Sequence, residues 1–275
     1  MVCGRAAEYI DRMPSPHTQA PGKAGPAPWR QRLRLLLRRT GAPALPSQCA
    51  VCRSWPSQPV CPACLKRLLQ PQHRCPGCAL AWTALPGGPQ RCPECLRQPL
   101  PLDGCFAALD YRYPWPELLT KFKFQQQTGW AAFFADRLQA QPDVAELLAG
   151  LDKGDWLLPL PLSRERLAER GFNQSWELAK ALHQGSRCPA QLSAGLLLRL
   201  RHTLPQSDLK RAQRLDNVQG AFAAEPLQAH LLSGKQVVLV DDVMTSGASL
   251  AAAAVTLKNA GARSVTGLVV ARTPP

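Results

Sequence analysis

Four C-x-x-C pairs, Cys49/Cys52, Cys61/Cys64, Cys75/Cys78 and Cys92/Cys95, fall within fewer than fifty consecutive residues, and they constrain the fold more tightly than any other feature of the chain. A tetrahedral zinc ion takes four thiolates, and each C-x-x-C knuckle presents two from one tight turn, so four knuckles suffice for two zinc sites. With every ligand supplied by the protein, such ions are structural and not catalytic. Disulfides would need an oxidising compartment, which no secretory signal announces: the longest N-terminal apolar run is only Leu35 to Leu37. Thioredoxin-like redox pairs occur singly within a βαβ unit rather than four times in succession. Sequential pairing (Cys49, Cys52, Cys61, Cys64, then Cys75, Cys78, Cys92, Cys95) and interleaved pairing both leave workable loops, and the sequential arrangement is favoured. Prolines at Cys61-Pro62, Cys75-Pro76 and Cys92-Pro93 stiffen the knuckles, and Gly77 is expected to supply the positive φ of a tight ligand turn. Metal removal is expected to unfold this third of the chain and spare the rest.

Composition divides the chain at the same place. The first 100 residues hold 16 of the 27 prolines, nine of the 11 cysteines and +11 of the net charge of +14. We therefore expect a flexible tail over 1–28, a basic helix with a double zinc ribbon over 29–100, and a second domain over 101–275. The segment 29–39 (WRQRLRLLLRR) carries an apolar stripe through Leu33, Leu36 and Leu37. It suits either a helix docked on the zinc module with solvated arginines or an element that contacts nucleic-acid phosphates. No apolar run reaches the length of a membrane span, and the expected location is cytoplasmic.

From residue 105 the periodicities become those of strands and helices. Strands are expected at 105–111, 156–160 and 196–201, helices over 117–140, 164–170 and 174–183, with Asn173 opening the last of these. The apolar run Val237-Val238-Leu239-Val240 reads as a strand buried on both faces that stops at Asp241-Asp242. A loop, a helix over 250–260 and a strand over 265–270 follow. Such alternation implies an α/β fold, a mostly parallel sheet with flanking helices.

The loop Thr245-Ser246-Gly247-Ala248-Ser249 suits a phosphate: glycine admits close backbone approach, hydroxyls donate, and a helix N-terminus follows. Two carboxylates just before it would repel a phosphate alone. They make sense if the ligand also carries hydroxyls, a cationic centre or a metal, as a sugar phosphate reacting at its anomeric carbon does. A Walker A loop and a G-x-G-x-x-G fingerprint are both missing, which removes the usual support for ATP-dependent kinases and dinucleotide dehydrogenases.

The string VVLVDDVMTSGAS resembles the phosphoribosyl pyrophosphate signature of type I phosphoribosyltransferases. Taken with the four knuckles, DYRYP…LLTKFKF, PLPLSRERLAERGFNQS and RLRHTLPQSDLKRAQRLDNVQGAF, the chain is similar over about residues 30–272 to the competence protein F family. That resemblance implies a double zinc ribbon ahead of a type I phosphoribosyltransferase-like domain, and a link to uptake or use of external DNA. It implies that Asp241 and Asp242 accept from the ribose hydroxyls beside magnesium and that Thr245, Ser246, Gly247, Ala248 and Ser249 hold the 5-phosphate. By the same resemblance Arg170, Asn173 and Gln174 approach the pyrophosphate, and Arg201, Gln206, Arg214 and Asn217 belong to a loop that closes over it. The implied ligands are phosphoribosyl pyrophosphate with magnesium and two structural zinc ions, and single-stranded DNA or DNA-processing proteins are candidate partners. Two other roles fit the same residues: a DNA- or partner-binding module that senses phosphoribosyl pyrophosphate without catalysis, and a salvage phosphoribosyltransferase.

Overall fold

The computed structural model describes residues 47–83, 87–124, 127–200 and 220–274. The basic segment 29–39 and Cys3 lie outside the described residues.

In chain order the described elements begin with two short helices, α1 (Pro62–Leu68) and α2 (Pro93–Arg97), in the cysteine-rich segment. Strand β1 (Gly104–Asp110) follows, then helices α3 (Trp115–Phe124), α4 (Trp130–Gln139) and α5 (Pro142–Ala149). Next come β2 (Trp156–Pro159), α6 (Arg164–Arg170), α7 (Gln174–Gly185) and β3 (Gln191–Leu192). A small antiparallel pair, β4 (Leu197–Arg199) with β5 (Phe222–Ala224), precedes β6 (Gln236–Met244), α8 (Ala248–Asn259) and β7 (Ser264–Arg272).

The main sheet runs in the order β1-β7-β6-β2-β3, with all neighbouring pairs parallel. Parallel strands joined through helices are buried on both faces, which explains the near-continuous apolar runs of β6 and β7. On one face Val238, Val240, Leu157, Leu268 and Val270 pack with Phe122 of α3, Phe134 of α4, Leu148 of α5 and Leu178 of α7. On the other, Val237, Leu239, Leu158 and Val265 meet Leu250, Ala253 and Leu257 of α8, together with Leu197 of β4 and Phe222 of β5. The expected 117–140 helical stretch is two helices, and α5, opened by Pro142 at its first turn, was not foreseen.

Two readings of the sequence need correction. Strand β6 does not stop at the acidic pair: Asp241 pairs with Val269 and Met244 with Arg272, so both aspartates lie within the strand. The apolar run ends earlier because β2 ends earlier, the last tie on that side being Leu160 N–H to the Val240 carbonyl at 2.8 Å. Beyond Val240 only β7 continues alongside, and the strand carries its two carboxylates there, with Asp242 still buried. The second correction concerns Gly77, which is absent from the positive-φ residues; Arg53 (φ 64°) and Ala79 (φ 57°), each directly after the second cysteine of a knuckle, take that conformation instead. They close matching turns, with Arg53 N–H to the Cys49 carbonyl at 3.0 Å and Ala79 N–H to the Cys75 carbonyl at 2.8 Å. Gly77 is needed for space: a Cβ there would lie 3.3 Å from Cys95 Sγ.

The cysteines assemble sequentially. Cys49, Cys52, Cys61 and Cys64 form one group and Cys75, Cys78, Cys92 and Cys95 the other, with sulfurs all within 4.8 Å of one another in each. Each group joins a knuckle to the start of a helix: Cys61 and Cys92 are the N-caps of α1 and α2, with the following prolines in the first turn, where a missing N–H costs nothing. A tetrahedral ion with Zn–S bonds of about 2.3 Å sets sulfurs roughly 3.8 Å apart. Cys52 and Cys61 sulfurs are 3.6 Å apart and those of Cys78 and Cys92 3.7 Å apart, so both groups fit a double zinc ribbon.

The two groups belong to different cores beside the edge strand β1. Cys49 and Cys64 belong to the core containing Leu109 and Trp115, whereas all four cysteines of the second group share a core with Leu102, Cys105 and Ala107. Cys105 N–H donates to the Pro76 carbonyl at 2.9 Å, and Arg74 pairs with Asp110 at 2.9 Å. The cysteine-rich segment thereby covers an edge that would otherwise expose unpaired backbone.

Candidate functional site

From β2 the chain winds through α6 and α7 to β3 on one side, and from β6 it winds through α8 to β7 on the other. The carboxyl ends of β2 and β6 are therefore where successive connections diverge, the place at which open α/β sheets bind ligands. A cavity of about 250 Å³ opens there, and its walls include Lys123, Arg166, Arg170, Arg199, Asp241 and Asp242.

Strand β6 delivers the two carboxylates. Asp241 Oδ1 accepts from the Ser175 hydroxyl at 2.8 Å and from the Asp242 N–H at 2.9 Å. Asp242 is buried; its Oδ1 accepts from Val243 N–H at 2.7 Å, and its Oδ2 lies 2.9 Å from the Lys123 ammonium. Burial pushes the Asp241 carboxyl up to about 7, and the adjacent Asp242 adds to the rise, while Ser175 and Lys123 oppose it. A donor or cation that enters the cleft favours the ionised form of this carboxyl and draws its pKa back down.

The segment after β2 supplies cations. Ser163 caps α6, accepting from Arg166 N–H at 3.4 Å, and Gly171 ends that helix with φ 76°. Asn173 then caps α7: its Oδ1 accepts from Ser175 N–H at 2.9 Å, and its amide donates to the Leu160 carbonyl at 3.2 Å. Arg170 donates to Gln174 Oε1 at 3.0 Å and stacks 4.9 Å from the Phe124 ring. Burial draws the Arg170 guanidinium below its ordinary range, and Asp242 works against that shift. Arg199 at the end of β4 is also drawn down by burial, and its guanidinium lies 5.4 Å over the Phe222 ring.

The loop after β6 completes the wall. Gly247, at φ 81°, is the residue before α8, and the Ser246 hydroxyl accepts from Ala248 N–H at 3.4 Å. Thr245 and Ser249 face the cleft. Of the residues singled out from sequence, Asp241, Asp242, Thr245, Ser249, Arg170 and Gln174 meet at one cavity. Asn173 shapes the α6–α7 turn, Ser246 borders a second cavity beside the cysteines, and Gly247 and Ala248 form the start of α8. Arg201, Gln206, Arg214 and Asn217 lie outside the described residues.

Sequence reasoning missed Lys123, and it placed Ser175 only within the segment 170–175 expected near the pyrophosphate, not against Asp241. A signal for Lys123 existed: it stands four residues after buried Leu119 and eight after buried Trp115, so a cation continues an apolar helix stripe. Ser175, at the start of α7, carries no comparable mark.

The cleft thus combines paired carboxylates, hydroxyls before a helix N-terminus and four cationic side chains, a set able to hold a polyanionic sugar. Comparison with known proteins agrees in fold. The phosphoribosyl transferase domain model matches residues 182–274. The chain is similar to the DNA utilization protein YhgH of Salmonella typhimurium, 32% identical over 225 residues that cover 80% of this chain and 95% of that protein. It is similar to competence protein F of Haemophilus influenzae, 28% identical over 191 residues, covering 70% of this chain and 80% of that one. Competence protein ComFC of Bacillus subtilis is 32% identical over 207 residues, covering 71% of this chain and 76% of its own.

Proposed function

Since this chain belongs to the family of the DNA utilization protein YhgH and competence proteins F and ComFC, we propose that its cleft binds phosphoribosyl pyrophosphate with magnesium, in the service of uptake or use of external DNA. The observation that carries this reading is the convergence of Asp241, Asp242, Thr245 and Ser249 with Lys123, Arg166, Arg170 and Arg199 at the carboxyl ends of β2 and β6.

Each group has a part that its chemistry supports. Asp241 and Asp242 accept from the ribose hydroxyls, and a divalent cation beside them would favour the ionised form of Asp241. Thr245 and Ser249 donate to the 5-phosphate at the start of α8, where the helix dipole favours negative charge. Arg166, Arg170 and Arg199 face the pyrophosphate, and their planar forks suit its oxygens. Magnesium held beside Asp241 and Asp242 would neutralise charge on pyrophosphate as an acceptor nucleophile displaces it from the anomeric carbon. The carboxylates stabilise positive charge that develops on the sugar.

A zinc ion in each cysteine group holds the covering segment against β1. The knuckles carry no open ligand position, which supports a structural role.

Calorimetric titration of phosphoribosyl pyrophosphate with magnesium tests the site. Binding to the native protein that is lost in Asp241→Asn/Asp242→Asn supports it, and equal affinity in both refutes it. Pyrophosphate release across a panel of acceptors then separates transfer from ligand sensing. Binding of single-stranded DNA that weakens steeply with salt tests the nucleic-acid role.

A further inference from the structure

We propose that Arg272 is a positioning residue that ties the second cysteine group to the loop after β6, so that a metal-filled group holds Thr245–Ser249 in its anion-accepting shape. This rests on the reading of that loop as the phosphate cradle.

Arg272 is the last residue of β7, and its backbone pairs with Met244 and Asp110. Its Nε donates to the Cys78 carbonyl at 2.9 Å. Its Nη1 donates to the carbonyls of Met244 at 3.2 Å, Thr273 at 2.7 Å and Thr245. One guanidinium therefore grips a metal-ligating residue on one side and the first residues of the loop on the other. Because a trans peptide sets C=O and N–H on opposite sides, carbonyls turned toward Arg272 leave the N–H groups of Thr245 and Ser246 turned away from it. Those N–H groups are the ones a phosphate at this loop would use.

A cavity of about 320 Å³, bordered by Cys78, Cys95, Leu100, Thr245, Ser246 and Arg272, separates the cysteine group from the loop. Leu100 crosses it to lie close to Gly247, where a Cβ would come within 3.1 Å of Leu100 Cδ1. A flexible apolar contact does not orient peptide planes, whereas a planar fork with several donors does. The Cys78 carbonyl is a fixed anchor only while its turn is fixed. That turn is held by backbone bonds to the Cys75 carbonyl from Cys78 N–H at 3.3 Å and Ala79 N–H at 2.8 Å and, when metal is bound, by the Cys75 and Cys78 sulfurs, which alone fix it against the helix-borne cysteines.

Hydrogen exchange of the zinc-loaded full chain tests the coupling, with ribose 5-phosphate titrated in parallel. Arg272→Gln, and Cys78→Ser, which lowers zinc content by one ion, should each speed amide exchange at 245–249 about tenfold while amides at 237–240 keep their rates; ribose 5-phosphate should bind about tenfold more weakly. Arg272→Lys should recover part of the loss, since a single ammonium cannot reach all four carbonyls. Unchanged loop exchange in Arg272→Gln overturns the proposal, and so does equal acceleration at 237–240, which marks general destabilisation. If Cys78→Ser fails to fold, the two Arg272 variants decide alone. Failure of the native protein to bind ribose 5-phosphate refutes the phosphate-cradle reading, and loop exchange still decides the coupling.

Discussion

Lys123 places its ammonium 2.9 Å from Asp242 Oδ2, with 19% of the lysine side chain and 5% of the aspartate side chain exposed. Helix α3 and strand β6 meet through this pair at the floor of the cleft. Lys123→Met leaves a buried carboxylate without its counter-charge and should cost about 3 kcal/mol of stability. Adding Asp242→Asn should recover most of that loss, because the cost arises from the orphaned charge rather than from the lost contact. Urea unfolding of the two single variants and the double variant measures the coupling.

Asp241 makes the site itself a source of pH dependence. The folded-state value of about 7 for Asp241 stands above the ordinary carboxyl value of about 3.9, so between those two values the native protein holds a proton that the unfolded chain has released. Stability therefore falls as pH rises through that window. Asp241→Asn keeps an acceptor for Ser175 and the Asp242 N–H but removes the charge. The variant should match the native protein near pH 4 and exceed it by about 1–3 kcal/mol at pH 8. Thermal unfolding across this range tests the sign. A gain at pH 8 that accompanies lost binding of phosphoribosyl pyrophosphate would mark Asp241 as a group that sacrifices stability for its ligand.

Gly247 stands at φ 81°, and a Cβ would strike Met244 Cε as well as approach Leu100. Both of those atoms end flexible side chains and can shift, so the backbone conformation sets the cost. Gly247→Ala should lose about 1–2 kcal/mol for an L-residue forced into the left-handed region, or shift the start of α8 to avoid it. Either outcome should weaken ribose 5-phosphate binding severalfold, measured by titration beside a urea midpoint.

Legibility in the sequence followed the physics of each element. Elements with strong periodicity or firm stop signals were readable: α7 begins after Asn173 as expected because the Asn side chain satisfies a helix N–H. Sequential pairing of the cysteines was favoured but not fixed by spacing, since both pairings leave workable loops; the folded arrangement of the sulfurs decides it. The true end of β6 was not readable, because pairing with β7 outlasts pairing with β2 and no local residue records that difference. Nor was the contribution of Ser175, which reaches Asp241 across 66 positions of sequence through the packing of α7 on the sheet. Arg272 lies beyond the strand expected over 265–270, and its four carbonyl partners come from three separate segments.

Metal removal should reach further than the sequence suggested. All four cysteines of the second group are buried in the same core as Leu102, Cys105, Ala107 and residues of β6 and β7. The Pro76 carbonyl occupies the Cys105 N–H, and Arg74 ties its turn to Asp110 and to the Ala79 carbonyl at 3.0 Å. Stripping zinc places four thiols with no ion between them inside that core, and the edge of β1 loses its cover. A strong chelator should therefore release two zinc ions per chain and lower the unfolding temperature of the sheet as well as that of the cysteine-rich segment. Following zinc release with a dye while monitoring unfolding by circular dichroism separates the possibilities. Coincident loss of sheet signal at a lowered temperature is the expected result. A sheet that melts at its original temperature after both ions have left would mean that the covering segment is dispensable, and that the apolar contacts around Cys105 suffice to hold β1.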